Sequence, residues 1–373
     1  MMVAFSPTPR TLMGPGPSDV HPRILASMSK PTIGHLDPEF GRLMEDIKKQ
    51  MRSVFLTENK YTLPLSAPGS AAMESAFVNL VEPGDKVVVC ANGVFGMRMA
   101  ENVRRIGGEL VLIEDPWGEP VDPEKLRETL KGHPDTKVVS MVHAETSTGV
   151  RSDVSELCKI AKSFGCLTIV DSVTGLGGVE LQVDAWSIDV AYSGTQKCLS
   201  APPGISLITF SEAAAERVKS RNHPVQSWFL DLSLLMAYWD GDGGGRTYHH
   251  TAPVNAMYGL HESLSMLLEE GLESSWDRHA RLHKNLAEGL YSLGLDFVVS
   301  EKHRLPQLNL IKCPDKTDEA AIRKKVLEDF NLEIGSGLGV FAGKVWRIGL
   351  MGYSARKENV SLCISALKEC LAC

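Results

Sequence analysis

Short apolar runs typical of β-strands alternate with segments of helical periodicity over residues 61–210 of this 373-residue chain. The strand-like runs lie at 61–65, 86–90, 137–142, 167–170, 190–193 and 205–210, and helical patterns begin near 71, 96 and 154. This alternation predicts an α/β fold with a largely parallel sheet and helices on both of its faces. In such sheets ligands bind at the carboxyl ends of the strands. We therefore expect functional residues where these runs end.

The pattern changes after a Gly- and Asp-rich loop at 240–245. Besides a helix at 38–55, we predict helices at 256–270, 273–293, 317–330 and 357–371 and strands at 308–313, 332–334 and 344–349. We interpret the chain as an N-terminal arm (residues 1–13), a large domain (14–270) and a smaller C-terminal α+β domain (271–373).

The composition is that of an ordinary globular protein, with 43% hydrophobic and 23% charged residues. Its formal net charge is −7, from 39 basic and 46 acidic side chains, and no long basic run occurs. This argues against nucleic acid or a membrane as partner. Residues 1–12 lack the apolar core of a secretory signal, and the last three residues are not a peroxisomal signal. We expect a cytoplasmic protein.

The cysteines and histidines do not predict a metal site. Six scattered cysteines are expected to be reduced core thiols, namely Cys90, Cys158, Cys166, Cys198, Cys313 and Cys363. The pair Cys370 and Cys373 has a redox or metal spacing, but it stands alone and is interpreted as incidental. The adjacent His249 and His250 are expected to point in different directions, which disfavours chelation by this pair.

Lys197 and Asp171 carry the strongest functional signal. Lys197 follows the run 190–193 through a turn of small residues, and Asp171 ends the run 167–170. Alone, such a lysine is usually solvated and such an aspartate often caps a helix. Together at the ligand end of a sheet they indicate pyridoxal phosphate. The lysine would hold its aldehyde as a Schiff base, and the aspartate would keep its pyridine nitrogen protonated.

Two further segments suit the phosphate of such a cofactor. The turn 66–70 joins a strand to a helix, where free N–H groups and the helix dipole favour an anion, although many turns look similar. It is not a Walker loop, because no Gly-Lys-Ser/Thr follows. Tyr248 and Thr251, which flank the two histidines, could donate hydrogen bonds to a phosphate.

Phe95 and Arg347 each have a structural and a functional interpretation. Phe95 follows a strand and is either a core residue or a ring that stacks on the pyridine. Arg347 lies in a predicted strand, where it either forms a salt bridge or binds a substrate carboxylate with its planar guanidinium group. The glycine-rich stretch 335–339 superficially suggests dinucleotide binding, but a strand rather than a helix follows it, so we reject that interpretation.

Six segments, in this order along the chain, resemble one known family. They are Gly14-Pro15-Gly16-Pro17-Ser18, His143-Ala144-Glu145-Thr146-Ser147-Thr148-Gly149, Asp171-Ser172-Val173, Ser193-Gly194-Thr195-Gln196-Lys197, Tyr248-His249-His250-Thr251 and Trp346-Arg347-Ile348-Gly349. They are similar to the alanine:glyoxylate/serine:pyruvate aminotransferases, class V members of the aspartate aminotransferase fold type (fold type I) of pyridoxal phosphate enzymes. The likeness runs from about Gly14 to the C-terminal helix.

The resemblance implies a role for each matching residue. Lys197 forms the Schiff base and shuttles a proton, and Asp171 pairs with the pyridine nitrogen. Val173 and Phe95 flank the ring, and Thr146 lies near its oxygen. The other implied cofactor ligands bind the phosphate and are Gly69, Ser70, Gln196 and, from a second subunit, Tyr248 and Thr251. Arg347 and Gly14 bind the substrate. The implied partners are small amino acids, 2-oxo acids and a second copy of the chain in a homodimer with shared active sites.

The chain departs from the family pattern at three places. Pro68 removes one N–H from the phosphate turn, Ser70 stands where some relatives have histidine, and Phe95 stands where relatives often have tryptophan. We predict transamination from alanine or serine to glyoxylate or pyruvate. The alternatives are a ureidoglycine–glyoxylate or kynurenine-type aminotransferase, a desulfurase or lyase, and a non-catalytic binding protein. A desulfurase would need a reactive cysteine on a mobile loop, and a non-catalytic protein would usually lose Lys197 or Asp171.

Overall fold

The computed structural model describes residues 4–240 and 245–372 of the chain. Residues 1–3 of the predicted N-terminal arm, residues 241–244 of the predicted loop and Cys373 lie outside this part.

The N-terminal and central elements lead up to the long helix that follows the main sheet. They are β1 (Thr11–Leu12), α1 (Pro22–Met28), α2 (Pro38–Phe55), β2 (Tyr61–Leu65), α3 (Gly69–Leu80), β3 (Lys86–Ala91), α4 (Val94–Ile106), β4 (Glu109–Glu114), α5 (Pro123–Gly132), β5 (Val138–Val142), β6 (Ala144–Glu145), β7 (Val150–Arg151), α6 (Val154–Ser163), β8 (Leu167–Asp171), β9 (Val190–Gly194), β10 (Ser206–Phe210), α7 (Glu212–Lys219), α8 (Leu232–Trp239) and α9 (Val254–Glu270). The C-terminal elements are α10 (Leu272–Ser292), β11 (Leu308–Lys312), α11 (Glu319–Phe330), β12 (Leu332–Glu333), β13 (Gly335–Ser336), β14 (Val345–Gly349) and α12 (Lys357–Leu371).

The main sheet has seven strands in the order β2-β10-β9-β8-β5-β3-β4. Strand β10 runs antiparallel to both of its neighbours, and the other pairs are parallel. Strands β5, β9 and β10 are buried along their whole length, as expected for central strands covered on both faces. The predicted α/β fold with a mostly parallel sheet is confirmed. Strand β10 reverses direction because a short connection, without a helix, joins it to β9.

Local sequence signals explain where several helices begin. Asp37 accepts a hydrogen bond from the N–H of Glu39 at the start of α2, and a proline follows it at the first helical position. Asp153 and Ser211 cap α6 and α7 in the same way. Strand β4 and helix α5 were not predicted. Strand β4 forms the edge of the sheet and fully buries only Ile113, although its residues 110–113 form an apolar run like those of its neighbours.

A second, three-stranded antiparallel sheet has the order β11-β14-β13. It packs with α10, α11 and α12 around its own apolar core, which includes Trp346 and Leu286 and is separate from the core of the main sheet. Strand β1 pairs in parallel with β12, which ties the N-terminal segment to this C-terminal region. The domain boundaries at residues 13 and 270 stay a prediction.

The predicted core thiols form no disulfide, and all of them are buried except Cys313, which is partly exposed. None of the helices in the described ranges combines the length and the apolar character needed to cross a membrane.

Candidate active site

Lys197 lies in the turn after β9 and is only 9% exposed, so it is not a solvated surface lysine. Its Nζ atom donates a hydrogen bond to the carbonyl oxygen of Pro15 in the N-terminal segment. Gly16 passes so close that a Cβ atom there would lie 2.5 Å from Nζ, and its φ of +105° also favours glycine. The N-terminal segment therefore covers the lysine amine.

The turn that follows Lys197 is fixed by two buried serines. Ser18 Oγ donates to the carbonyl oxygen of Lys197 (2.7 Å) and lies 3.0 Å from Ser200 Oγ. Ser200 has a left-handed backbone (φ 55°), and its hydroxyl accepts from the N–H of Tyr353 (2.7 Å). Sequence analysis did not identify these serines as site residues, because the hydrogen bonds join positions more than 150 residues apart.

Asp171 ends β8 directly beside Tyr192 of β9 and is 3% exposed. Its Oδ1 atom accepts from the N–H of Val173 (2.8 Å), and irregular turns rather than a helix follow, so Asp171 does not cap a helix. Burial raises the pKa of Asp171 to about 7, whereas the hydrogen bond from Val173 and the charge of Lys197 act in the opposite direction. A cationic partner at this carboxylate would favour its ionised form.

Lys197 and Arg347 interact through their like charges. Burial, and then the Arg347 cation, lower the pKa of Lys197 to about 8. Burial also lowers the pKa of Arg347 to about 10. The guanidinium group donates to the carbonyl oxygens of Ser336 (2.6 Å) and Thr146 (3.2 Å), and no carboxylate among residues 4–240 and 245–372 forms a salt bridge with it. The salt-bridge interpretation of Arg347 is wrong, and its charge is available to an anionic ligand.

The predicted phosphate turn has the expected form. Helix α3 begins at Gly69 after β2, and its N-cap residue, Pro68, supplies no capping side chain. A Cβ atom at Gly69 would lie 3.3 Å from the Val173 side chain, so the helix start lies directly against the segment that follows Asp171. Ser70 is exposed. An uncapped helix start beside the predicted ring site is suited to a phosphate.

The residues of the site fit pyridoxal phosphate. A buried amine of lowered pKa suits an aldehyde, and a buried carboxylate suits a pyridinium. Gln196 lies between Gly194 and Lys197, and its buried Oε1 atom has no hydrogen-bond partner in the described part of the chain. The unused atom accepts hydrogen bonds and suits a ligand that donates, whereas a phosphate would need the NH₂ group of the same amide.

Thr146 and Gly14 lie in the same region as Lys197 and Arg347. Thr146 is buried, and its hydroxyl lies 2.5 Å from that of Thr174. Gly14 is buried against β14, where the N–H of Gly349 donates to the carbonyl oxygen of Met13 (2.6 Å). Phe95 lies in the first turn of α4, half-buried against the main core. Its packing is therefore compatible with both interpretations.

Tyr248 and Thr251 are exposed, with Tyr248 61% accessible, whereas His249 between them is buried. His250 Nε2 lies 2.7 Å from Ser66 Oγ, which places the segment beside the phosphate turn. The expectation that the two histidines point apart is wrong, since their Nδ1 atoms lie 2.7 Å from each other. Within the described ranges, no group of three or more His, Cys, Asp or Glu side chains could hold a metal ion.

Comparisons with known proteins agree on one family. The family model described as "Aminotransferase class-V" matches residues 21–361. The alanine–glyoxylate aminotransferase of Rattus norvegicus is 42% identical over 97% of this chain and 87% of that protein. The (S)-ureidoglycine–glyoxylate transaminase of Bacillus subtilis (strain 168) is 37% identical over 97% of this chain and 90% of that protein. The crystal structure of an alanine–glyoxylate aminotransferase from Nostoc sp. matches with a TM-score of 0.97 and 42% identity, over 100% of this chain and 97% of that one.

Proposed function

The chain belongs to the class V aminotransferases, which use pyridoxal phosphate, and we propose that it transfers the amino group of alanine to glyoxylate, with serine and pyruvate as a second donor and acceptor. One observation carries this proposal: a buried lysine, a buried carboxylate and a guanidinium group without a salt bridge converge at one site. The relatives named for alanine and glyoxylate reach 42% identity and the relative named for ureidoglycine has 37%, although the alanine–glyoxylate aminotransferase of Drosophila melanogaster also has 37%; on balance the ureidoglycine alternative is less favoured.

When bound, pyridoxal phosphate supplies an electron sink that allows an amino group to pass between two carbon skeletons. Lys197 would bind its aldehyde and move the proton at the substrate Cα, and a pKa of about 8 suits a base that works near neutral pH. Asp171 would hold the positive charge of the pyridine nitrogen. Val173 and Phe95 would orient the ring from its two faces, and Thr146 would bind the ring oxygen.

Arg347 would bind the substrate carboxylate and Gly14 would line the substrate site. A free carboxylate is common to every amino acid and 2-oxo acid, so Arg347 would serve both half-reactions. The hydrogen bonds from Arg347 to the carbonyl oxygens of Ser336 and Thr146 fix the plane of its guanidinium group. The side chain therefore loses less conformational entropy when a substrate binds.

At the other end of the cofactor, Gly69, Ser70 and Gln196 would bind the phosphate. We further propose a homodimer in which Tyr248 and Thr251 complete the phosphate site of the partner. Both residues are exposed in the single chain. Large apolar side chains of the same region are exposed as well, with Leu36 61% and Trp228 62% accessible, as expected of a surface that a second copy covers. The cytoplasmic location stays a prediction.

The visible absorbance of the protein loaded with pyridoxal phosphate tests the function. Alanine and serine are each expected to bleach the band of the bound cofactor, and glyoxylate is expected to restore it. Bleaching by ureidoglycine alone would establish the alternative substrate. If no band forms after the cofactor is added, Lys197 does not bind it and the proposed site is wrong.

A further inference from the structure

Glu145 is a fully buried carboxylate with no role in the site described so far. It ends β6, in the short hairpin of β6 and β7 that follows β5. Thr146 comes directly after it, and Ser147 follows. Thr146, a residue of the proposed site, therefore lies between two polar residues of the hairpin.

Both neighbours bind the start of helix α4. Glu145 Oε2 accepts hydrogen bonds from the N–H groups of Phe95 (3.2 Å) and Gly96 (3.3 Å). The Val94 N–H donates to Ser147 Oγ (2.9 Å). The other carboxylate oxygen, Oε1, accepts from the N–H (3.0 Å) and the hydroxyl (2.6 Å) of Ser147. The carboxylate therefore accepts four hydrogen bonds and serves as a distant cap for the helix.

Helix α4 has no cap of its own, because its N-cap residue is Gly93. A Cβ atom at Gly93 would lie 2.5 Å from the Glu145 side chain, so this glycine leaves the space that the carboxylate fills. A glycine and a carboxylate that lie 52 positions apart in the chain therefore form one capping arrangement. Three of the orphan N–H groups at the helix start are satisfied from the hairpin.

The charge of Glu145 fits this arrangement. Burial raises the pKa of its carboxyl group on balance, although the hydrogen bonds from Ser147, Gly96 and Phe95 act in the opposite direction. All four neighbouring groups donate, so the ionised, acceptor-only carboxylate matches them. The N-terminal end of the helix dipole adds to this preference. Glu145 also acts on Arg347, whose pKa it raises and whose guanidinium group donates to the carbonyl oxygen of Thr146.

We propose that Glu145 is a positioning residue that sets the placement of three groups relative to one another: the ring of Phe95, the hydroxyl of Thr146 and the guanidinium group of Arg347. It holds Phe95 through the first turn of α4, Thr146 through the hairpin, and Arg347 through the carbonyl of Thr146 and through charge. This inference rests on the roles proposed for those three residues. Unlike those three residues, Glu145 is not itself proposed to contact the cofactor or the substrate.

The variant Glu145→Gln tests this inference. Whichever way the amide is turned, its NH₂ group faces donors that the carboxylate satisfied. We expect the dissociation constant for pyridoxal phosphate to rise roughly tenfold, as for loss of a buried charge-assisted hydrogen bond. The KM values for alanine and glyoxylate should rise together, and the circular dichroism of the bound cofactor should change because its ring environment shifts.

The matched control is Thr148→Val in the same hairpin. Thr148 is equally buried, and its hydroxyl has no hydrogen-bond partner within the described ranges, so this variant should resemble the wild type. If Glu145→Gln lowers only the melting temperature, while affinity, dichroism and KM stay within about twofold of the control, the inference is overturned and Glu145 is merely structural.

A second variant and a measurement without substrate distinguish the remaining outcomes. If Glu145→Gln does not fold, Ser147→Ala removes a smaller part of the same cap. It should change affinity and dichroism in the same direction, and wild-type values in that variant would overturn the inference. If the wild-type protein does not accept alanine or glyoxylate, the proposed substrates are wrong. Affinity and dichroism of the cofactor still test Glu145, because neither measurement involves a substrate.

Discussion

The two ends of the proposed cofactor site are built in different ways. Four residues proposed to act at the pyridine ring or on the substrate are buried within one chain, and we refer to these four, Lys197, Asp171, Thr146 and Arg347, as the ring end. Those proposed to bind the phosphate include exposed side chains; we refer to Gly69, Ser70, Gln196, Tyr248 and Thr251 as the phosphate end. The ring end is therefore preorganised by the fold, whereas several side chains of the phosphate end are exposed in the single chain.

This difference has electrostatic consequences. Burial shifts the pKa values of Lys197, Asp171 and Arg347 at the ring end, because charges there are poorly solvated. At the phosphate end, water still reaches Ser70 and Tyr248. Substitutions at the ring end should therefore change chemistry and substrate binding strongly, and substitutions at the phosphate end should change cofactor affinity more gently.

The largest effect is expected from Lys197→Ala. Without the amine, nothing at the ring end can bind the aldehyde or move the substrate proton, so turnover with alanine and glyoxylate should be lost. Steady-state rates measured with added pyridoxal phosphate check this. The exposed Lys159→Ala on α6 is the control and should keep its rate. Normal turnover in Lys197→Ala would refute the assignment of the ring end.

Arg347→Ala should raise KM by roughly a hundredfold for every amino acid and 2-oxo acid, since a buried charge pair with their common carboxylate is lost. Arg347→Lys keeps the charge but not the planar pair of donors, and we expect an intermediate KM. Initial rates with alanine, serine and glyoxylate measure this. A KM increase confined to one substrate would show that Arg347 contacts the side chain of that substrate and not the common carboxylate.

Uptake of pyridoxal phosphate by the cofactor-free protein should depend on pH. Only the neutral amine attacks an aldehyde, and the pKa of Lys197 is lowered to about 8 from the ordinary 10.5. The rate should therefore rise by about tenfold between pH 7 and 9 and then level off. Stopped-flow absorbance measures it. A rate that is still rising at pH 10 would indicate an unperturbed lysine. In Arg347→Ala the midpoint should move upward, because a cation that lowers the lysine pKa is gone.

The smallest effect is expected from Tyr248→Phe at the phosphate end. Loss of one hydroxyl donor should weaken the binding of pyridoxal phosphate about threefold to tenfold, the size of a single hydrogen bond. Fluorescence titration of the cofactor-free protein measures this, with the exposed Tyr291→Phe on α10 as control. An unchanged affinity would mean that Tyr248 does not reach a phosphate, in its own subunit or in a partner.

Regular patterns allowed much of the fold to be predicted. The helices Pro38–Phe55 and Lys357–Leu371 have the predicted bounds, because apolar periodicity marks both and a capping Asp-Pro pair marks the start of the first. The buried strands β5, β8 and β9 were found within a residue or two. The edge strand β4 was not predicted, although its residues 110–113 form an apolar run of the same kind.

The site was predictable where one residue type carries its own chemistry. Lys197, Asp171 and Arg347 have few structural reasons to lie buried, so their positions after or within strands were informative. The supporting residues Ser18, Ser200 and Glu145 gave no such signal. Their importance depends on hydrogen bonds between distant segments, and a hydroxyl or carboxylate in a loop is compatible with many roles.

The N-terminal segment links the lysine to a strand that is synthesised much later than the lysine itself. Thr11 and Leu12 pair with Leu332 and Glu333, and the residues that follow reach Lys197. On a ribosome, the lysine and its covering segment emerge long before strand β12 exists. The amine can therefore acquire its native surroundings only after residues 332 and 333 have been synthesised. A chain terminated before residue 332 would contain Lys197 but would lack the strand that anchors its cover.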